Sequence, residues 1–289
     1  WSGKGRTRAL ADLGPFPNPH WRELFYGWFL GMVAHWRGID KQHGNSTSPL
    51  LVGSQGYRKS TFCRILLPPE LRFGYTDSID FKSKQEAERS LGRFFLINID
   101  EFDQINANQQ GFLKHLLQKP VANLRKPYGS TIQEMRRYAS FIGTSNLKDL
   151  LTDPSGSRRF ICIEVTGPIQ TNVTINYHQL YAQAMHDIMK GERYWLADTD
   201  EAIVKEYNRE FERVDPLEEL FLCHFRGAEE SEEGEWLTAM QIFNDLQQKT
   251  RDKLAINRIA AFGRTLRKLD ILNKKSNRGT LYHLVRIEE

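Results

Sequence analysis

Residues 48–61 read Ser-Pro-Leu-Leu-Val-Gly-Ser-Gln-Gly-Tyr-Arg-Lys-Ser-Thr, and that order decides the fold. An apolar run, Leu50 to Val52, meets a glycine-bearing turn, and Lys59-Ser60-Thr61 opens a segment of helical character, Phe62 to Leu67. Strand, tight loop and helix in this order suit a phosphate cradle, because the turn amides and the positive end of the helix face one anion. On that reading Gly53, Gly56, Arg58, Lys59, Ser60 and Thr61 bind a nucleotide, with Lys59 reaching the β- and γ-phosphates and the Ser60 hydroxyl holding Mg²⁺. The spacing G-x-x-x-x-G-K-[ST] runs from Gly53 to Lys59-Ser60, but Arg58 stands where the second glycine belongs. A positive φ there costs a non-glycine residue about 1 kcal/mol or more. Taken alone, the stretch also reads as a glycine-containing strand-to-helix turn with a surface lysine.

A second apolar run, Phe94 to Ile99, ends in Asp100-Glu101. A continuous apolar run reads as a strand covered on both faces, central in a parallel sheet, and α/β folds place ligands at the C-terminal ends of such strands. Asp100 would then bind the water shell of Mg²⁺. Glu101, sent to the opposite side by strand alternation, would polarise an attacking water. A third run, Tyr138 to Ser145, ends in Asn146, and Asp153-Pro-Ser-Gly-Ser-Arg-Arg159 follows as a loop with two exposed arginines before the buried strand Phe160 to Val165. A phosphate loop, an acidic strand end and an Asn-ended strand followed by arginines, in this order, point to a nucleoside triphosphate core.

The rest of the chain frames that core. A basic, glycine-containing arm turns at Pro15, Pro17 and Pro19 into an aromatic helix from about His20 to Trp36, with Trp21, Leu24, Phe25, Trp28 and Phe29 spaced for a buried face. Helices are expected over 84–91, 109–117, 177–190, 200–212 and 216–226. Glu229-Glu-Ser-Glu-Glu-Gly-Glu235 reads as a solvated, mobile linker. Beyond it, helices over 237–248 and 256–269 and a hairpin around Gly279 suggest a winged helix. The expected organisation is thus an N-terminal arm and packing helix (1–47), a core with helical extension (48–226), an acidic linker (227–235) and a basic winged-helix-like domain (236–289).

These motifs resemble a known family, the virulence-associated protein E ATPases of phages, plasmids and mobile islands, related to superfamily 3 helicases and the wider AAA+ class. The resemblance rests on Gly53 to Thr61, Ile99-Asp-Glu-Phe-Asp103, Arg125-Lys-Pro-Tyr-Gly129, Phe141 to Asn146, Asp153 to Phe160 and Gln179-Leu-Tyr-Ala, and covers about Leu50 to Leu196. It implies an α/β P-loop NTPase fold of the ASCE type, a parallel sheet flanked by helices. ATP and Mg²⁺ are its implied cofactors, with Asn146 as the sensor orienting water. Arg158 or Arg159 becomes an arginine finger acting on a neighbouring copy, in a ring that is often hexameric. Such fingers contribute about 10³ to 10⁵ in rate in other NTPases. The turn Arg125-Lys126-Pro127-Tyr128 falls where related helicases carry a channel hairpin, with Lys126 on phosphate and Tyr128 stacked on a base.

Charge adds a partner. The net charge is +4, but residues 236–289 carry eleven Lys or Arg against five Asp or Glu, hence +6, leaving −2 for the remainder. That asymmetry predicts DNA, single- or double-stranded, bound through Arg264, Arg267, Lys268, Lys274, Lys275 and Arg278. The three cysteines, Cys63, Cys162 and Cys223, read as reduced core residues of a cytosolic protein, bacterial or phage-encoded. The most apolar run, Leu24 to Trp36, is 13 residues long, too short for a bilayer, so no membrane partner is expected. Opening at Trp1 without Met, the chain reads as a piece of a longer protein, a primase portion preceding a helicase. Two other functions remain open on sequence: a nucleotide-gated DNA binder whose degenerate loop does not hydrolyse, and a regulatory scaffold with both sites vestigial.

Overall fold

The computed structural model describes residues 2–39, 45–125, 132–152, 154–213, 216–229, 231–249, 259–269, 271–277 and 279–287. Part of the N-terminal arm is helical: α1 (Arg6–Ala11) lies against α2 (Trp21–Arg37), and the Arg8 guanidinium sits 3.6 Å from the centre of the Tyr26 ring while gripping Glu23 at 2.7 Å. Six residues without a side-chain cap are too few to form a helix by propensity, so α1 depends on this packing. On α2 the expected face is buried, and so are Tyr26, Leu30, Met32 and Val33, which makes it a core helix; Gly38 ends it in the left-handed region at φ 66°.

The chain then alternates strand and helix. β1 (Ser48–Val52) leads into α3 (Lys59–Ile65). A two-residue edge strand, β2 (Tyr75–Thr76), precedes α4 (Lys84–Arg93) and β3 (Leu96–Ile99). Next come α5 (Ala107–Gln118), β4 (Val121–Arg125), β5 (Ile132–Arg136), β6 (Ser140–Ser145) and β7 (Phe160–Glu164). The helices α6 (Tyr177–Met189) and α7 (Asp198–Asn208) close this part. Five strands form a wholly parallel sheet in the order β2-β3-β6-β1-β7, so β6 separates β1 from β3. β3 is therefore interior but second from the edge. Alternation along β1 sends Leu51 to a core shared with α2, α3 and α6, and Leu50 and Val52 to a second core against α4 and α5. The apolar runs of the sequence are continuous because helices cover both faces.

β4 and β5 form a separate antiparallel pair. Arg137, directly after β5, is buried and donates to the carbonyls of Leu116, Leu117 and Lys119 at the end of α5 and to that of Asn45.

The compact units are Trp1–Arg213 and Val214–Glu289. The boundary thus lies ahead of the acidic stretch, and α8 (Pro216–His224) belongs to the second unit, where Leu217 and Phe221 enter its core. That unit continues with β8 (Phe225–Gly227), β9 (Glu235–Thr238), α9 (Ala239–Lys249), α10 (Ile259–Lys268), β10 (Asn273–Ser276) and β11 (Gly279–Arg286). β11 pairs antiparallel with β10, β9 and β8. Leu237, expected in a helix, instead lies in β9, because cross-strand pairing with Tyr282 takes its side chain inward. The acidic stretch is held at two points and is not a free linker: Glu232 pairs with Arg226, and Glu235 accepts from Arg286 at 2.7 Å. Of the three free cysteines, Cys63 and Cys162 are buried, but Cys223 is exposed on the solvent side of α8, which corrects its reading as a core residue. No helix among the described residues is long and apolar enough to cross a membrane.

Each unit has its own aromatic core. Truncating a fully buried Phe costs about 3 to 5 kcal/mol. Phe243→Ala should lower the unfolding temperature of the second unit and spare the first, and Phe25→Ala should do the reverse; scanning calorimetry of both variants checks this.

Candidate functional site

The C-terminal ends of β1, β3 and β6 converge on one cleft of about 380 Å³. The loop contributes Gln55, Gly56 and Arg58, the start of α3 Lys59, Ser60 and Thr61, the end of β3 Asp100 and Glu101, and the end of β6 Thr144 and Asn146. Gly53 is required by close approach, since a Cβ there would stand 2.4 Å from the Val165 carbonyl oxygen, and Gly56 by its φ of 87°.

Lys59 is 6% exposed, and its ammonium donates to the carbonyls of Gly53 (2.6 Å) and Ser54 (3.0 Å) and to Asn146 Oδ1 (3.0 Å). Burial holds its pKa below the usual lysine value, an effect that the negative fields of Asp100 and Asp103 oppose. Ser60 Oγ donates to Asp100 Oδ1 at 2.9 Å, and the Thr144 hydroxyl donates to the same oxygen. Asp103 stands behind Asn146: its Oδ1 accepts from Ser145 Oγ at 2.9 Å and from the Asn146 amide at 3.3 Å. Desolvation raises the pKa of Asp103, but hydrogen bonds from Ser145, the Asn146 amide and Gln104 outweigh it and leave the carboxyl below its ordinary range.

Thr144 and Asp103 were not among the residues expected from sequence. Their signals were modest: a polar residue near the end of an apolar strand, and a second aspartate closing Ile99-Asp-Glu-Phe-Asp103.

Two backbone positions stand out. Arg58 at φ 60° and Glu101 at φ 52° are the non-glycine residues with positive φ among the described residues, and both line the cleft. The first meets the conformation its place in the motif demands. The second corrects the alternation argument: β3 ends at Ile99, and a left-handed turn at Glu101 brings it to the same cleft as Asp100.

Arg158 and Arg159 lie elsewhere. They precede Phe160, which pairs with Ser48 at the start of β1, whereas the cleft sits beyond Val52. The strand between those points spans about 13 Å. Neither arginine lines the cleft of its own chain, and Arg158 Nη1 donates to Glu201 Oε2 at 2.8 Å.

On the second unit Arg264 and Arg267 are exposed on α10, and Lys274 and Lys275 on β10. The Lys274 ammonium lies 3.7 Å from the centre of the Trp236 ring, which stacks on His283 at 4.5 Å. Lys126, Tyr128 and Arg278 lie outside the described residues; Arg125 ends β4 and Lys268 ends α10, with side chains that are likewise outside.

Residues 1–213 match the virulence-associated protein E-like domain, and residues 215–284 match a domain described as of unknown function, DUF3874. No curated protein matches the chain. Among solved structures the chain is similar to an apo structure of the NrS-1 C-terminal region, at 12% identity over 98% of this chain and 76% of that one, with a TM-score of 0.48. It is similar also to the A form of that region, at 12% identity over 98% and 75%, TM-score 0.49. A further A-form structure gives 13% identity over 93% and 72%, TM-score 0.43.

The left-handed geometry at Arg58 has a stability signature. Arg58→Gly should be more stable than Arg58→Ala by about 1 kcal/mol, the reverse of their order in a helix or strand. Chemical denaturation of the pair reads this directly, and equal stabilities would remove the strain.

Proposed function

The chain belongs to the virulence-associated protein E-like family, and from that premise we propose that its first unit is a P-loop ATPase of the ASCE/AAA+ type, related to superfamily 3 helicases. The whole chain would then be a helicase-like motor on DNA, the motor part of a phage or mobile-element primase-helicase. The observation that carries this reading is the convergence of Lys59, Ser60, Asp100, Glu101 and Asn146, from three separate stretches of sequence, on one cleft, with direct hydrogen bonds from Lys59 to Asn146 and from Ser60 to Asp100. A single strand, β6, inserted between β1 and β3 is further support.

In this mechanism the loop amides and Lys59 bind the triphosphate of ATP, the ammonium exchanging the Gly53 and Ser54 carbonyls for phosphate oxygens. Ser60 and Asp100, already in contact, are a hydroxyl and a carboxylate of the kind that Mg²⁺ accepts alongside phosphates and water. When bound, that ion would neutralise charge on the triphosphate. Glu101 takes the proton of the attacking water while Asn146, steadied by Asp103, orients it. Arg158 or Arg159, remote from their own cleft, serve the cleft of a neighbouring copy in a ring. DNA is engaged by Arg125, Lys126 and Tyr128 and by Arg264, Arg267, Lys274 and Lys275 of the winged-helix-like second unit.

One observation favours a second reading. Arg58 holds a left-handed conformation in the phosphate loop, and a loop strained in this way suits a nucleotide-gated DNA binder that holds ATP without turning it over.

Mg²⁺-dependent hydrolysis, measured with and without single-stranded DNA across protein concentration, separates the two. The motor reading expects a rate per subunit that rises with concentration, loss of ATP binding in Lys59→Ala, and retained binding with a rate about 10² to 10⁴ lower in Glu101→Gln. Equal background rates in wild type and Glu101→Gln would leave the gated binder. For the second unit, replacing Arg264, Arg267, Lys274 or Lys275 by Ala should each reduce the slope of log affinity against log salt by about one. An unchanged slope in all four would remove this DNA contact.

A further inference from the structure

The arginine turn is gripped by a single helix at two points. Asn208, the last residue of α7, is fully buried with both ends of its amide in use. Its Nδ2 donates to the carbonyls of Ser157 (2.8 Å) and Phe160 (2.7 Å), which flank Arg158 and Arg159, and its Oδ1 accepts from the Cys162 amide at 3.2 Å. Glu201 lies seven residues earlier on α7, and a seven-residue step returns to within about 20° of the same face. It meets the Arg158 side chain at 2.8 Å. One face of α7 therefore holds the backbone of the turn with an amide and one of its side chains with a carboxylate.

The Glu201 contact uses one N–H of Arg158. A guanidinium has five, and Arg158, whose side chain is 42% exposed, has Glu201 as its partner among the described residues. The group is oriented without being saturated. A carboxylate that merely sequestered Arg158 would need no matching grip on the backbone beneath it. Asn208 supplies that grip.

We infer that α7 is a brace presenting Arg158 to the triphosphate bound by a second copy of this chain, with Asn208 and Glu201 as positioning residues; the inference rests on the ATPase reading above. Arg158 then acts as the finger, and the cleft of each copy is completed by the α7 face of its neighbour.

Hydrolysis of ATP by the full chain, with single-stranded DNA and at saturating protein, tests this. Arg158→Ala sets the reference loss. Glu201→Gln should lower the rate per subunit about tenfold with KM for ATP changed less than about twofold and the melting temperature unchanged, and Glu201→Asp should recover most of the rate. Glu201→Gln keeps an intact cleft, so mixing it with Lys59→Ala, whose cleft is dead but whose arginine turn is whole, should restore hydrolysis above the sum of the two alone. Asn208→Ala should behave in the same way; should it fail to fold, Glu201→Gln decides. If Arg158→Ala is inactive while Glu201→Gln matches or exceeds wild type, or if mixing gives no recovery, the brace is overturned and the ATPase reading stands. If Arg158→Ala and Glu201→Gln both match wild type while Lys59→Ala is dead, hydrolysis is real but no finger comes from this turn. A wild type inert at every concentration would overturn both.

Discussion

The first unit turns on a buried ammonium. Lys59 is withdrawn from water, and a charge so placed is tolerated only where hydrogen bonds replace its hydration. It finds two carbonyls in its own loop and the side-chain oxygen of Asn146, a residue 87 positions later. This one cation therefore ties the loop after β1 to the end of β6, and the Ser60 and Thr144 hydroxyls on Asp100 tie both to the end of β3. The carboxylates nearby favour the charged form without being consumed as partners of Lys59. Its three protein contacts are all to neutral oxygens, so an incoming anion need not break an ion pair to engage it.

Strain gathers at the same place. Arg58 and Glu101 each carry a conformation that L side chains resist, at a cost of about 1 to 2 kcal/mol apiece. Such positions persist only where the surroundings over-determine them. At Arg58 the loop must turn sharply before Lys59 can face back toward Gly53. At Glu101 the chain leaves β3 and reverses into the 3₁₀ turn at Phe102–Gln104 that sets Asp103 against Asn146. The second turn is what lets two successive carboxylates, Asp100 and Glu101, serve one cleft.

Much of this was legible because the signals were local. The apolar runs at Leu50, Leu96 and Phe141 mark strands buried on both faces, and the polar residues ending each run mark the cleft. Arg58 was legible as well, since its place in a spaced motif is enough to specify a positive φ. Other features rest on distant contacts. α1 exists because Arg8 meets Tyr26 and Glu23, not because six residues favour a helix. Leu237 sits in a strand because Tyr282 pairs with it across β11. The acidic stretch looked like a solvated linker because charge density suggests solvation, yet Arg226 and Arg286 give two of its carboxylates fixed partners. Asp103 was hidden for the opposite reason: beside Asp100 and Glu101 it looked like one more acid, and its role appears only when Ser145 and Asn146 fold onto it.

The position of the arginine turn follows from topology and not from its own sequence. In a parallel sheet every strand enters at the same edge, so a loop that precedes β7 must lie at the edge opposite to loops that follow β1, β3 and β6. The β1–β7 pairing, Ser48 to Phe160 through Val52 to Glu164, therefore holds Arg158 about a strand's length from the Lys59 cleft of its own chain. A cleft rich in lysine, hydroxyl and carboxylate lies at one edge, and at the other lies the Arg158 guanidinium, oriented by Glu201. On the reading advanced above, the two halves of a charge-neutralising pocket stand a strand's length apart in one copy, and assembly is what reunites them.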